Sequence, residues 1–131
     1  MATIQKEFDI DAPPEKVWAA LRDFGALHEK LAPGFITACT VEGDVRTVTF
    51  FSGTVMRERL VGLDDQLRRI AYSVIEGQAT HHNASAQVFD AGEGRSRFVW
   101  ITDVLPDELA SYIGPMMEKG GAAAKATLEK G

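Results

Sequence analysis

The sequence predicts an α+β fold in which a seven-stranded antiparallel sheet surrounds a long C-terminal helix. Three observations support this prediction: an alternating segment at the start, six β-rich segments separated by Gly and Asp turns, and a helical period near the end. A length of 131 residues is typical of one domain, so we expect residues 1–131 to form a single unit.

The first third of the chain combines one strand with two short helices. Residues 3–11 alternate apolar and polar side chains, which predicts a half-buried strand. A short helix is predicted to begin at Pro14, Glu15 and Lys16 and to end at Gly25. Residues 26–31 are predicted to form a second short helix. The six later strands are predicted over residues 35–41, 45–51, 54–63, 67–75, 80–89 and 95–104.

The C-terminal helix is predicted from Pro106 to Glu129, because a proline and two acids suit a first helical turn. In its middle, Gly120 and Gly121 leave the inward face without bulky side chains, although each glycine costs about 1 kcal/mol relative to alanine. We therefore expect this helix to close one side of an internal cavity. Its inward face is predicted to carry Leu109, Ile113, Met117, Ala124 and Leu128.

Composition and charge exclude several classes of partner. The net charge of −5 argues against nucleic acid and against an anionic membrane surface. No apolar run approaches the roughly 20 residues that a membrane span needs, so membrane insertion is not expected. The single cysteine, Cys39, and a charged N-terminus without an apolar segment indicate a cytoplasmic protein.

Strand alternation singles out Glu58 as the most informative residue. Arg57 and Arg59 share a face of one strand and are expected to face solvent, which turns Glu58 inward between Met56 and Leu60. A buried carboxylate is costly unless it is paired, hydrogen-bonded or hydrated. Glu58 is therefore a candidate polar anchor inside an apolar cavity.

The same alternation predicts a mostly apolar cavity with a few polar groups, a combination typical of small-molecule sites. We expect a small hydrophobic ligand, such as a lipid, a polyketide or an aromatic metabolite. The expected ligand-binding residues are Thr37, Val48, Phe50, Glu58, Leu60, Tyr72, Val74, His82, Ala84, Ala86, Trp100, Thr102, Ile113, Met117 and Gly121.

Three stretches, residues 10–18, 58–65 and 72–77, resemble the START-like (SRPBCC) superfamily, and most closely its polyketide cyclase/dehydrase branch. This branch is related to Bet v 1-like proteins and to plant abscisic acid receptors. The resemblance implies a helix-grip fold, with a START-like ligand-binding domain over the whole chain. In the receptors, the glutamate of the Glu-Arg-Leu motif contacts ligand through water, and the resemblance places that role on Glu58.

The chain departs from the receptors at three positions. Their cavity lysine is matched by Thr37, their Asn-Tyr pair becomes Asn83-Ala84, and the region 51–54 lacks the proline of their gating loop. Hormone sensing of that type is therefore not expected.

Two other functions stay open. The chain is alternatively an enzyme of the cyclase/dehydrase type, in which Glu58 is the general acid or base and His82 or Tyr72 assists. It is alternatively an interaction module that uses an outer face of Phe89, Val99 and Ile101, as a monomer or a homodimer. No cofactor is expected, and no metal site is expected because adjacent strand residues such as His81 and His82 point to opposite faces.

Overall fold

A computed structural model describes residues 2–130; Met1 and Gly131, the ends of the predicted domain, lie outside the described residues. The elements follow the predicted order. The strands are β1 Ala2–Ile10, β2 Ile36–Glu42, β3 Val45–Phe50, β4 Val55–Asp64, β5 Arg69–Val74, β6 His81–Gly92 and β7 Arg95–Leu105. The helices are α1 Pro14–Arg22, a π-helical turn Leu27–Leu31, a 3₁₀ turn Asp107–Leu109 and α2 Ala110–Glu129.

The strands form one seven-stranded sheet in the order β1-β7-β6-β5-β4-β3-β2. Every neighbouring pair is antiparallel; short connections predict this for the five pairs that are consecutive in sequence, whereas β1 pairs with β7, the last strand. Glycine makes two of these connections possible: Gly43, between β2 and β3, has a φ of +65°, and Gly53, between β3 and β4, has a φ of +89°. With α2 packed against the inner face, this is the predicted START/Bet v 1-like helix-grip fold.

Several predicted boundaries need correction. β2 begins at Ile36, one residue later than expected, and β5 ends at Val74. Glu76 therefore lies beyond the end of β5, where it is exposed and pairs with Arg57. The C-terminal helix does not become α-helical until Ala110 because a 3₁₀ turn precedes it.

Of the two glycines in the middle of α2, Gly120 borders a cavity between the helix and the sheet, as predicted, whereas Gly121 leaves no gap. A Cβ atom on Gly121 would lie 2.0 Å from the Phe8 Cζ atom, so the Phe8 ring occupies that space. At Gly120 a Cβ atom would approach the rings of Phe35, at 3.0 Å, and Trp100, at 3.3 Å. The missing side chains thus admit aromatic rings from other elements against the helix backbone, which close packing favours.

The two faces of the sheet differ as predicted. On β7, Phe98, Thr102 and Val104 are buried on the inner face. Val99 and Ile101 are half-buried on the outer face, and Phe89 of β6 is exposed there. Among residues 2–130, no helix has the length and apolar character needed to cross a membrane.

Candidate functional site

Two adjoining cavities lie between the sheet and α2. The inner cavity has a volume of about 70 Å³, and the middle cavity has a volume of about 60 Å³. Both walls are mainly apolar, and the residues common to them mark where the cavities meet. These shared residues are Phe35, Phe50, Glu58, Tyr72 and Trp100.

An outer cleft of about 430 Å³ adjoins the middle cavity. The inner cavity, the middle cavity and the outer cleft therefore lie in succession from the interior toward the surface. Two flexible methionines, Met116 and Met117, line the middle cavity, and methionine adapts readily to differently shaped neighbours. The residues shared by the middle cavity and the outer cleft are Thr54, Met56, His82, Tyr112 and Ile113.

Glu58 faces inward, as alternation along β4 predicts, and it forms a buried ion pair. The Arg46 Nε atom donates a hydrogen bond of 2.7 Å to Glu58 Oε1. The two residues are directly opposite each other on β3 and β4 and are only 4% and 6% exposed. Of the three ways in which a buried carboxylate can be stabilised, pairing is therefore the one found at this oxygen, because a guanidinium group compensates its charge.

Aromatic rings hold the Arg46 side chain in place. Its guanidinium carbon lies 4.3 Å from the centre of the Phe24 ring and 4.9 Å from the centre of the Tyr72 ring. Arg46 Nη1 also donates a hydrogen bond of 3.3 Å to the Phe24 carbonyl oxygen. Stacking and hydrogen bonding together fix the cation against the cavity wall.

The second carboxylate oxygen, Glu58 Oε2, accepts no hydrogen bond from the described part of the chain. Tyr72 borders the same two cavities, and its hydroxyl oxygen accepts a hydrogen bond of 3.1 Å from Trp100 Nε1. Burial, reinforced by the negative charge of Glu58, raises the pKa of Tyr72, so this side chain is a neutral phenol. Within residues 2–130 the Tyr72 hydroxyl hydrogen has no acceptor, so the site offers a hydrogen-bond donor beside a free carboxylate oxygen.

His82 lies farther out, where the middle cavity meets the outer cleft. Burial lowers its pKa, and the neighbouring His81 lowers it further. The imidazole of His82 is therefore neutral at pH 7 and adds no positive charge to the middle cavity or the outer cleft.

Eleven of the predicted residues line the cavities or the cleft. Val74 borders the outer cleft, and the others border the inner or the middle cavity. The latter are Val48, Phe50, Glu58, Tyr72, His82, Ala86, Trp100, Thr102, Ile113 and Met117.

The structure places the other four predicted residues elsewhere. A bulge between Ile36 and Ala38 turns Thr37 outward, where its hydroxyl donates to the Thr49 carbonyl oxygen at 3.3 Å. Leu60 packs against the core, Ala84 is covered within the sheet, and Gly121 lies beneath Phe8. None of these four borders the inner cavity, the middle cavity or the outer cleft.

Sequence reasoning missed Arg46, although a signal for it exists. Arg46 shares the strand face of Val48 and Phe50, which were both expected to point inward. An inward arginine on one strand and an inward glutamate on the next predict a cross-strand pair. The inner cavity also uses Leu21, Leu27, Leu31 and Ala32 from the segment between β1 and β2, which alternation along strands cannot identify.

Across residues 2–130, no group of three or more His, Cys, Asp or Glu side chains is arranged to hold a metal ion.

The comparisons with known proteins agree with this architecture. The chain is similar to XoxI from Bacillus cereus, with a TM-score of 0.87 and 23% identity over 98% of this chain and 96% of that chain. A START superfamily protein from Mycobacterium smegmatis gives a TM-score of 0.76 and 15% identity over 98% and 97% of the two chains. The di-domain ARO/CYC BexL of the BE-7585A biosynthetic pathway gives a TM-score of 0.84 and 14% identity, over 98% of this chain and 47% of that chain.

At these identities the solved structures establish the fold alone. The family is established by a sequence model described as "Polyketide cyclase / dehydrase and lipid transport", which matches residues 1–129. The predicted resemblance is thereby confirmed, and its coarse implication, a fold that binds hydrophobic ligands, holds. The chain belongs to the polyketide cyclase/dehydrase and lipid transport family.

Proposed function

We propose that this protein binds a small hydrophobic molecule, such as a lipid, a polyketide or an aromatic metabolite, in the space between the sheet and α2. The observation that carries the proposal is the succession of the inner cavity, the middle cavity and the outer cleft, with the Glu58 carboxylate bordering the first two. An apolar wall supplies affinity through burial, and a small number of polar groups fix the orientation of the ligand.

The volumes define how such a ligand would fit. The inner and middle cavities, at about 70 and 60 Å³, hold one end of a molecule, whereas the outer cleft, at about 430 Å³, has room for the remainder. Met56, Met116 and Met117 line the middle cavity and can change rotamer to widen it.

Titration with naphthalene, a neutral apolar probe, tests the proposal. We expect naphthalene to shift the methyl resonances of Val48, Ala86 and Met117, which border the cavities. Ala86→Leu fills part of the inner cavity and should weaken binding about tenfold or more, since the probe loses buried contact area.

Ser85→Leu is the matched control. Ser85 is adjacent to Ala86 on β6 and points to the opposite face of the sheet, so this change should leave naphthalene affinity unaltered. Equal affinities of both variants, or shifts confined to the outer face at Val99 and Ile101, would contradict binding in the cavity.

A second candidate function is catalysis of the cyclase/dehydrase type. It is favoured by one specific observation: the free Glu58 Oε2 atom and the neutral phenol of Tyr72 border the same cavities. Because the pair with Arg46 requires the carboxylate form, Glu58 suits the role of general base and Tyr72 that of proton donor.

Catalysis predicts that Glu58→Gln abolishes turnover of a poly-β-ketone substrate while the variant still binds it. BexL, described as an ARO/CYC, supplies the comparison enzyme for such an assay. Unchanged turnover in Glu58→Gln would remove Glu58 from the mechanism.

A further inference from the structure

From the hydrogen-bonding groups of the cavity wall, we infer that the ligand is an uncharged molecule whose buried end carries a hydroxyl group, and that anionic carboxylates are rejected. This inference rests on the proposed function, since it assigns the chemistry of the ligand that the same cavity takes. It is carried by the hydrogen-bonding groups of Glu58 and Tyr72 that have no partner in the described part of the chain.

The first step concerns hydrogen-bond donors and acceptors. Glu58 Oε2 can only accept a hydrogen bond, and the Tyr72 hydroxyl still has a hydrogen to donate. Glu58 is paired with Val74, and Tyr72 with Leu60, on adjoining strands, so the two groups are diagonal neighbours on the inner face. A ligand hydroxyl satisfies both at once, because it donates its hydrogen to Glu58 and accepts one from Tyr72.

The second step concerns charge. Arg46 borders the inner cavity, but its charge is matched by Glu58 at 2.7 Å and its guanidinium group is held by Phe24 and Tyr72, so the buried pair has no net charge to offer an anion. His82 is neutral, and no other cationic side chain lines the inner cavity, the middle cavity or the outer cleft among residues 2–130. A carboxylate placed there would bring an uncompensated charge next to the free oxygen of Glu58, which is unfavourable in an apolar site.

The third step concerns shape. Aromatic rings of Phe35, Phe98 and Trp100 border the inner cavity, whose small volume admits a ring or a chain end rather than a large group. The hydroxyl-bearing end must therefore be narrow and apolar beyond its oxygen, and the bulk of the ligand lies toward His82 and the outer cleft.

The test compares three probes of one ring system: 2-naphthol, 2-methoxynaphthalene, in which a methyl group replaces the hydroxyl hydrogen, and 2-naphthoate. Affinities are measured by nuclear magnetic resonance (NMR) titration, with the indole resonance of Trp100 and the methyl resonance of Ala86 as reporters of binding in the cavity. We expect 2-naphthol to bind about tenfold more tightly than 2-methoxynaphthalene, because a hydrogen bond to a charged acceptor is lost. We expect 2-naphthoate to be weaker than both.

Glu58→Gln should weaken the discrimination against 2-naphthoate and the preference for 2-naphthol. The change removes the charged acceptor and leaves Arg46 without its anion, so 2-naphthoate should gain affinity while the preference for 2-naphthol over 2-methoxynaphthalene shrinks. If this variant does not fold, the double change Arg46→Met with Glu58→Gln replaces the pair by uncharged side chains. In the double variant the preference for 2-naphthol should also shrink, but 2-naphthoate should stay weak.

Asp44→Asn is the matched control, since it removes one carboxylate charge from an exposed ion pair between the β2–β3 turn and Arg59 of β4. Its probe preferences should equal those of the unaltered protein. Binding of 2-naphthoate as tight as that of 2-naphthol, with the cavity reporters shifting, would overturn the inference and leave the proposed cavity binding intact. Failure of all three probes to shift the reporters would contradict both.

Discussion

The two ends of the space under α2 are built by different means. At the packed end, defined by Phe8, Val17, Gly121 and Leu128, the helix backbone presses on an aromatic ring and α1 closes the core. At the cavity end, defined by Met56, His82, Ile113 and Met116, the same helix borders empty space and flexible side chains. Stability is therefore concentrated at one end, and room for a ligand at the other.

The Arg46–Glu58 pair borders the inner cavity. Its loss should have the largest effect on stability. Glu58→Gln leaves a buried guanidinium group without its anion, so we expect the free energy of unfolding to fall by about 3–5 kcal/mol. Urea unfolding measures this change.

The exposed pair of Arg59 and Asp44 is the control for that experiment. Asp44→Asn should cost less than about 1 kcal/mol, because solvent screens exposed ion pairs. Similar losses in both variants would show that burial of Arg46 does not determine the effect.

The same substitution at two glycines of α2 should have unequal effects at the two ends. Gly121→Ala places a methyl group 2.0 Å from the Phe8 Cζ atom, so we expect a loss of about 1–3 kcal/mol from overpacking. At Gly114 no atom outside the adjoining helix backbone and chain neighbours lies within 4 Å of an added methyl group, so Gly114→Ala should change the free energy of unfolding by less than about 1 kcal/mol: helix propensity favours alanine, whereas the following Pro115 disfavours a Cβ atom there.

Thermal and urea unfolding of the two glycine variants provide the measurement. Stabilisation by both substitutions would mean that the Phe8 ring can move away from position 121, and it would contradict close packing at the packed end.

A smaller effect is expected from pH at the cavity end. The pKa of His82 in the folded protein is lowered from its ordinary value of 6.5, chiefly by burial. The unfolded chain therefore binds more protons than the folded protein as the pH falls below that value, and the free energy of unfolding decreases there. At higher pH the imidazole is neutral in both states and this loss is absent.

His82→Gln should remove that decrease between pH 7 and pH 5. An NMR titration should also give His82 a midpoint below 6.5, and a midpoint above it would contradict the assigned burial.

Much of the cavity could be predicted because alternation along a strand is local and regular. It correctly turned Glu58, Trp100 and Thr102 inward. It failed at Thr37, because one bulge near the start of β2 reverses the side-chain direction and leaves no clear mark in the sequence.

Two further errors involve contacts between different elements. Gly121 suggested empty space, but the ring that fills it belongs to Phe8, at the other end of the chain. Arg46 was missed because an arginine is usually exposed, and only its position opposite Glu58 makes burial favourable.

The most direct test of ligand binding between the sheet and α2 is a crystal structure of the protein with 2-naphthol. The ring should lie among Val48, Ala86 and Trp100, with its hydroxyl within hydrogen-bonding distance of Glu58 Oε2. A crystal in which 2-naphthol occupies only the outer face of the sheet, with the inner cavity closed, would contradict a ligand site between the sheet and α2.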